Sequence, residues 1–153
     1  MRVETLGDVL EWTQRTHANL ADCLAQCSRQ TQRERLKMLL DYLVEHERQL
    51  SHALELARHD AMPSALNTWC YEYFENAPAR PERQCQANFR DMDVDEVMAA
   101  VLAFHEQVTG LYRHLLDQDA DVPSARELLE NLLSLEEHEA MRLARDAGRL
   151  QDL

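Results

Sequence analysis

Four side chains with metal-binding chemistry, His17, Glu47, His105 and Glu139, occupy positions in apolar helical stripes where leucine would be expected. Imidazole and carboxylate donors together suit iron, manganese or zinc. A bare carboxylate is costly to bury, so each of these groups needs a partner or an altered protonation state. His46 and Glu136 border the same stripes and are further possible ligands. Arg142 could pair with Glu47 or Glu139 and put a cation where a metal would sit. Two chemistries follow from these residue types: a metal centre, or a buried His/Glu network that fixes helix register and binds nothing.

The elements that must position these groups are long amphipathic helices. Apolar residues recur at helical spacing nearly throughout the chain. The pattern predicts helices over about Leu6 to Cys27, Gln32 to Arg58, Val94 to Asp117 and Ala125 to Leu150. The fourth stripe is drawn through Leu128, Leu132, Leu135, Glu139, Leu143 and Ala147. Start signals precede each stretch: Thr5 with Asp8, Thr31 with Glu34, Asp93 with Glu96, and Ser124 with Glu127. In each, a side-chain oxygen is placed to take an otherwise unpaired N–H of the first turn.

Short links join the first helix to the second and the third to the fourth, which makes antiparallel neighbours. A long segment, 59–92, separates the two hairpins. It contains a short amphipathic piece, Ser64 to Phe74, expected to form a short helix or turn over the bundle. The chain is read as one domain, 1–153, with hairpins 5–58 and 93–150. The halves also look alike. Asp8 and His17 match Glu96 and His105 in spacing, and Glu45-His46-Glu47 matches Glu137-His138-Glu139. That alignment requires an offset four residues longer for the second pair of helices.

On the helix pattern, the crossover position and the mid-helix polar layer, the chain resembles the ferritin-like superfamily, in particular its rubrerythrin-type members. The resemblance covers about residues 5 to 150. It implies an all-α, up-down-down-up four-helix bundle of two hairpins joined by a crossover with a short helix. It also implies a di-metal site, with a Glu from helices one and three and a Glu-x-x-His from helices two and four. Glu47 and Glu139 match the motif glutamates, but Leu50 and Arg142 stand at the motif histidines. His17 and His105 stand where glutamates would be, with Glu106 adjacent and Tyr112 seven residues on. The implied function is iron or manganese binding, with a role in metal handling or oxidative stress. Glu47 and Glu139 would bridge, and His17 and His105 would be terminal ligands. The alternative is a non-enzymatic scaffold or partner-binding bundle with a structural polar layer.

Composition narrows the other classes. Three glycines and four prolines in 153 residues are too few for a turn-rich sandwich or barrel. The formal charge of -12 disfavours nucleic acid and anionic membrane as partners. No apolar run approaches a membrane span, and Met1 to Thr5 show no apolar leader, so a cytoplasmic location is expected. Cys23, Cys27, Cys70 and Cys85 form no CxxC pair and are expected to be small core residues. No phosphate loop, nucleophile elbow or His-Glu-x-x-His occurs. A homodimer is expected, using Leu10 and Trp12 of the first helix and the aromatic cluster Trp69 to Phe74; the identity of any protein partner is open. A core cavity for an organic ligand, lined by Met, Phe and Tyr of helix three and the crossover, is a further possibility.

Overall fold

A computed structural model describes residues 3–70, 89–118 and 122–151. Among the described residues the fold is all-α. Its helices are α1 (Leu6–Gln30), α2 (Glu34–Asp60), the single turn α3 (Pro63–Leu66), α4 (Val94–Gln118) and α5 (Pro123–Gln151). A 3-10 turn, Phe89–Asp91, leads into α4. The four long helices are those the apolar spacing predicts; α1, α4 and α5 run one to three residues further, and α2 both starts and ends two residues later. None of these helices is long and apolar enough to cross a membrane.

Two of the four predicted caps form as expected. Thr5 Oγ1 accepts from the Asp8 N–H at 3.2 Å, and Asp8 Oδ2 accepts from the Thr5 N–H at 3.2 Å. Asp93 Oδ1 accepts from the Glu96 N–H at 2.8 Å, and Glu96 Oε1 returns the bond at 3.2 Å. The other two differ. The residue preceding α2 is Arg33, which makes no side-chain cap. Thr31 Oγ1 instead accepts from the Arg33 N–H at 3.3 Å and turns the link. The Arg33 guanidinium holds that link by donating to the carbonyls of Arg90 and Met92, at 2.8 and 2.5 Å. Helix α5 begins one residue before Ser124, at Pro123, whose missing N–H is no loss in a first turn. Ser124 is therefore inside the helix, and its hydroxyl bonds that of Ser64 at 2.8 Å.

Polar pairs give the packing order. Along α1, Glu11, Gln14, His17 and Ser28 meet Arg58, Ser51, Glu47 and Asp41 of α2 in turn, so the two helices are antiparallel. Tyr42 meets Asp146 and His46 meets Glu139, so α2 and α5 are also antiparallel. One apolar core draws on all four long helices: Leu10 and Leu24, Leu40 and Leu43, Val101 and Val108, Leu129 and Leu143 are among its buried members. Burial of a leucine side chain contributes roughly 1.5–3 kcal/mol, so this shared core outweighs any single polar contact on the surface.

Several expectations need correction. The buried stripe of α5 passes through Ala125, Leu129, Leu132, Glu136 and Leu143, while Leu128 and Leu135 are half-buried. The doubled leucines at 128–129 and 132–133 allow two stripes, which share Leu132, Leu143 and Ala147 and differ at Leu128, Leu135 and Glu139. Leu10 is fully buried and so is not spare for a dimer face, while Trp12 is half-buried against the core. In the crossover, α3 is followed by an extended stretch. There the Leu6 N–H donates to Thr68 O at 2.8 Å and the Cys70 N–H to Glu4 O at 2.7 Å. This clasp brings α3 against the start of α1, where a Cβ on Gly7 would lie 3.1 Å from the Leu66 carbonyl oxygen. Tyr71 to Phe74, the rest of the aromatic cluster, lie outside the described residues. Cys27 and Cys70 are buried thiols, as small core residues would be. Cys23 departs from that expectation, because it is disulfide-bonded.

Candidate metal centre

Each long helix contributes one side chain to a closed ring at the centre of the fold. His17 comes from α1, Glu47 from α2, His105 from α4 and Glu136 from α5, and all four are fully buried. His17 Nδ1 lies 2.6 Å from Glu47 Oε2, and its Nε2 lies 2.8 Å from Glu136 Oε1. His105 Nε2 lies 2.5 Å from Glu47 Oε1, and its Nδ1 lies 3.4 Å from Glu136 Oε2. Every ring nitrogen therefore faces a carboxylate oxygen, and every carboxylate oxygen faces a ring nitrogen. The Phe104 ring packs edge-on against both imidazoles, with centroids 5.2 and 5.6 Å away.

Local sequence explains why these residues meet. The two imidazoles each stand 12 residues past a capping residue, Thr5 or Asp93. The two carboxylates each stand 14 residues past the residue that precedes the helix, Arg33 or Val122. Matching lengths within each pair thus bring like groups to like depths, and with each residue advancing the helix by about 1.5 Å both pairs reach the middle of the bundle.

The electrostatics make the ring two coupled ion pairs. Burial opposes a charged His17, but the carboxylates of Glu136 and Glu47 outweigh it and raise its pKa to about 10. Burial likewise opposes a charged His105, and Glu47 and Glu136 raise it to about 9. Burial would push Glu47 and Glu136 up, yet the facing imidazoles hold both below the usual carboxylate range. Two imidazolium ions and two carboxylates balance to zero, which is the arrangement a low-dielectric interior tolerates.

His46 and Glu139 form a separate pair beside this ring. His46 Nε2 lies 3.3 Å from Glu139 Oε2, without hydrogen-bond alignment. Burial lowers the His46 pKa, which favours the neutral imidazole. Arg142 Nη1 lies 3.8 Å from Glu139 Oε1 at the partly exposed edge, so the arginine pairs with Glu139 and not with Glu47. Tyr112, fully buried, lies close enough to Glu136 to feel its charge.

Of the residues singled out in the sequence, His17, Glu47 and His105 come together, joined by Glu136, which had been placed at the border. Glu139 is outside the ring. The misleading signal was the shared Glu-His-Glu triplet, which set Glu139 opposite Glu47. His105 follows His17 by 88 residues and Glu136 follows Glu47 by 89, so the repeat itself carried the correct register. The same offset pairs Leu40 with Leu129, Leu43 with Leu132 and Leu54 with Leu143, all buried. The four-residue discrepancy between the halves then shrinks to one.

The donor set fits a transition-metal ion. One ligand atom each from His17, Glu47 and His105 lie within 4.8 Å of one another. Two neutral imidazoles and two carboxylates are ligand types suited to iron, manganese or zinc. A divalent ion would also carry the same charge as the two protons it displaced, leaving the buried ring neutral in both forms. No family model, no curated protein and no solved structure matches the chain.

Proposed function

We propose that this chain is a ferritin-like, up-down-down-up four-helix bundle that binds a divalent transition metal, iron or manganese, in its core ring. The observation that carries the reading is the convergence of two imidazoles and two carboxylates, one from each long helix, on one fully buried point. The topology is supported by pair order. Glu47 meets His105 while Arg33 meets Met92 just ahead of α4, which runs α2 and α4 in the same direction. With α2 antiparallel to both α1 and α5, the order is up, down, down, up.

His17, Glu47, His105 and Glu136 would hold the ion, each imidazole giving one nitrogen after losing its proton. The ion would supply Lewis acidity and, for iron or manganese, one-electron redox capacity. The protein's own part is to exclude water, through Phe104 and the surrounding core, and to keep the donors at fixed positions. The role that follows is metal handling, with oxidative-stress defence as the form suggested by the family resemblance.

Elemental analysis of protein produced with supplied iron or manganese tests this. About one ion per chain is expected, retained in Glu139→Gln and lost in His17→Ala/His105→Ala. Protein that stays metal-free under these conditions overturns it. A second reading is favoured by the complete pairing of all four ring nitrogens, which needs no metal. In that reading the bundle is a non-enzymatic scaffold. Chelator would leave its melting temperature unchanged, and replacing all four ring residues by leucine would raise it.

A further inference from the structure

A cleft of about 410 Å³ lies between the C-terminal end of α2, α3 and the first half of α5, away from the ring. That volume is within the usual range for small-molecule sites, roughly 300–1,000 Å³. Its shape has a cause in the sequence. Leu128, Leu132 and Leu135 of α5 form one wall, and the facing wall from α2 to α3 is built mainly from the small side chains of Ala57, Ala61 and Ala65, with Met62 at its lip. Leucines opposed by alanines leave room that a close-packed interface would fill. The cleft wall is the outer arc of α5, in which Leu132 also belongs to the core and Leu128 and Leu135 pack against its edge. The Ser64–Ser124 hydroxyl bond ties α3 to α5 across one side of the cleft.

Among the described residues the charged groups at the rim are of one sign, beside the neutral Ser124 and Asn131. Asp60 closes α2, and Glu127 stands in the first turns of α5, both exposed and both lining the cleft. The α2 C-terminus adds the negative end of a helix dipole. Among the described lining residues there is no lysine, arginine or histidine. Met62, 63% exposed, sits at the lip and offers a pliable apolar surface.

We propose that this cleft binds a small apolar amine, a molecule with a compact hydrocarbon body and one cationic nitrogen. The body lies between the leucine and alanine walls, and the nitrogen faces Asp60 and Glu127. This site is independent of the metal ring and stands whether or not the ring takes metal.

A matched set of probes tests it: phenylbutylamine, phenylbutanol and phenylbutyrate, titrated calorimetrically into the full chain. The amine is expected to bind about fivefold more tightly than the alcohol, the size of effect two screened surface carboxylates can give, and the acid more weakly than either. Asp60→Asn/Glu127→Gln, which changes two exposed side chains, is expected to abolish the preference for amine over alcohol. Ala57→Leu/Ala61→Leu, which fills the gap, is expected to abolish binding of both while circular dichroism stays unchanged. If that variant does not fold, the charge-neutral pair still decides the question. No binding of the amine at millimolar concentration, equal affinity for amine and alcohol, or an amine preference that survives Asp60→Asn/Glu127→Gln overturns the proposal.

Discussion

At the ring, each carboxylate faces two imidazolium ions, so removing one group strands charge that has no other neutraliser. Glu47→Leu leaves two buried imidazolium ions with one carboxylate, and about 3–5 kcal/mol of stability is expected to be lost in denaturant unfolding. A loss under about 1 kcal/mol would mean that the ring is not ionised as described. Protonation gives a second test. His17 and His105 have raised pKa values, so their contribution is fully present below the unfolded value, near 6.5, and is lost as pH rises through about 9 to 10. Glu47 and Glu136 are depressed, so their contribution is present above the unfolded value, near 4.5, and is lost as pH falls. The metal-free protein should therefore melt highest between about pH 4.5 and 6.5 and lose stability steadily towards about pH 10. A melting temperature that rises through that alkaline range would contradict the assignment. Chemical type was legible in the sequence for His17, Glu47 and His105, because each interrupts an apolar stripe. Glu136 was harder to place, because Glu136, Glu137 and Glu139 crowd one turn and only packing decides which points inward.

The helices themselves were readable because their spacing is strongly periodic and four candidate caps stand before four periodic stretches. Where the reading failed, tertiary contacts had overridden local chemistry. Thr31 has the right spacing to cap α2, yet Arg33 is pinned to the backbone ahead of α4 and starts the helix two residues later. The two threonines should thus behave differently. Thr5→Ala removes a side-chain acceptor from the capping box of α1 and is expected to cost about 1 kcal/mol in chemical denaturation. Thr31→Ala removes only a bond within the link and should stay within about 0.5 kcal/mol of the parent. Equal costs would show that the link, not the cap, sets these helix starts. The register of α5 was ambiguous for a related reason. It carries two apolar arcs that share Leu132, one for the core and one for the cleft under α3, and a single-stripe pattern cannot separate them.

Over the whole molecule, the two halves place matching groups at matching depths: imidazoles from α1 and α4, carboxylates from α2 and α5. This pseudo-symmetry makes a ring whose neutrality rests on two protons and would be kept by one divalent ion in their place. The interior gives up no charge balance in passing between the two forms. The most direct measurement is therefore a coupled count of metal taken up and protons released, with manganese(II) added to weakly buffered protein near pH 7. The account predicts about one ion bound and about two protons released per chain, both absent in His17→Ala/His105→Ala. Metal uptake without proton release, or no uptake at all, would contradict the exchange that the ring is proposed to perform.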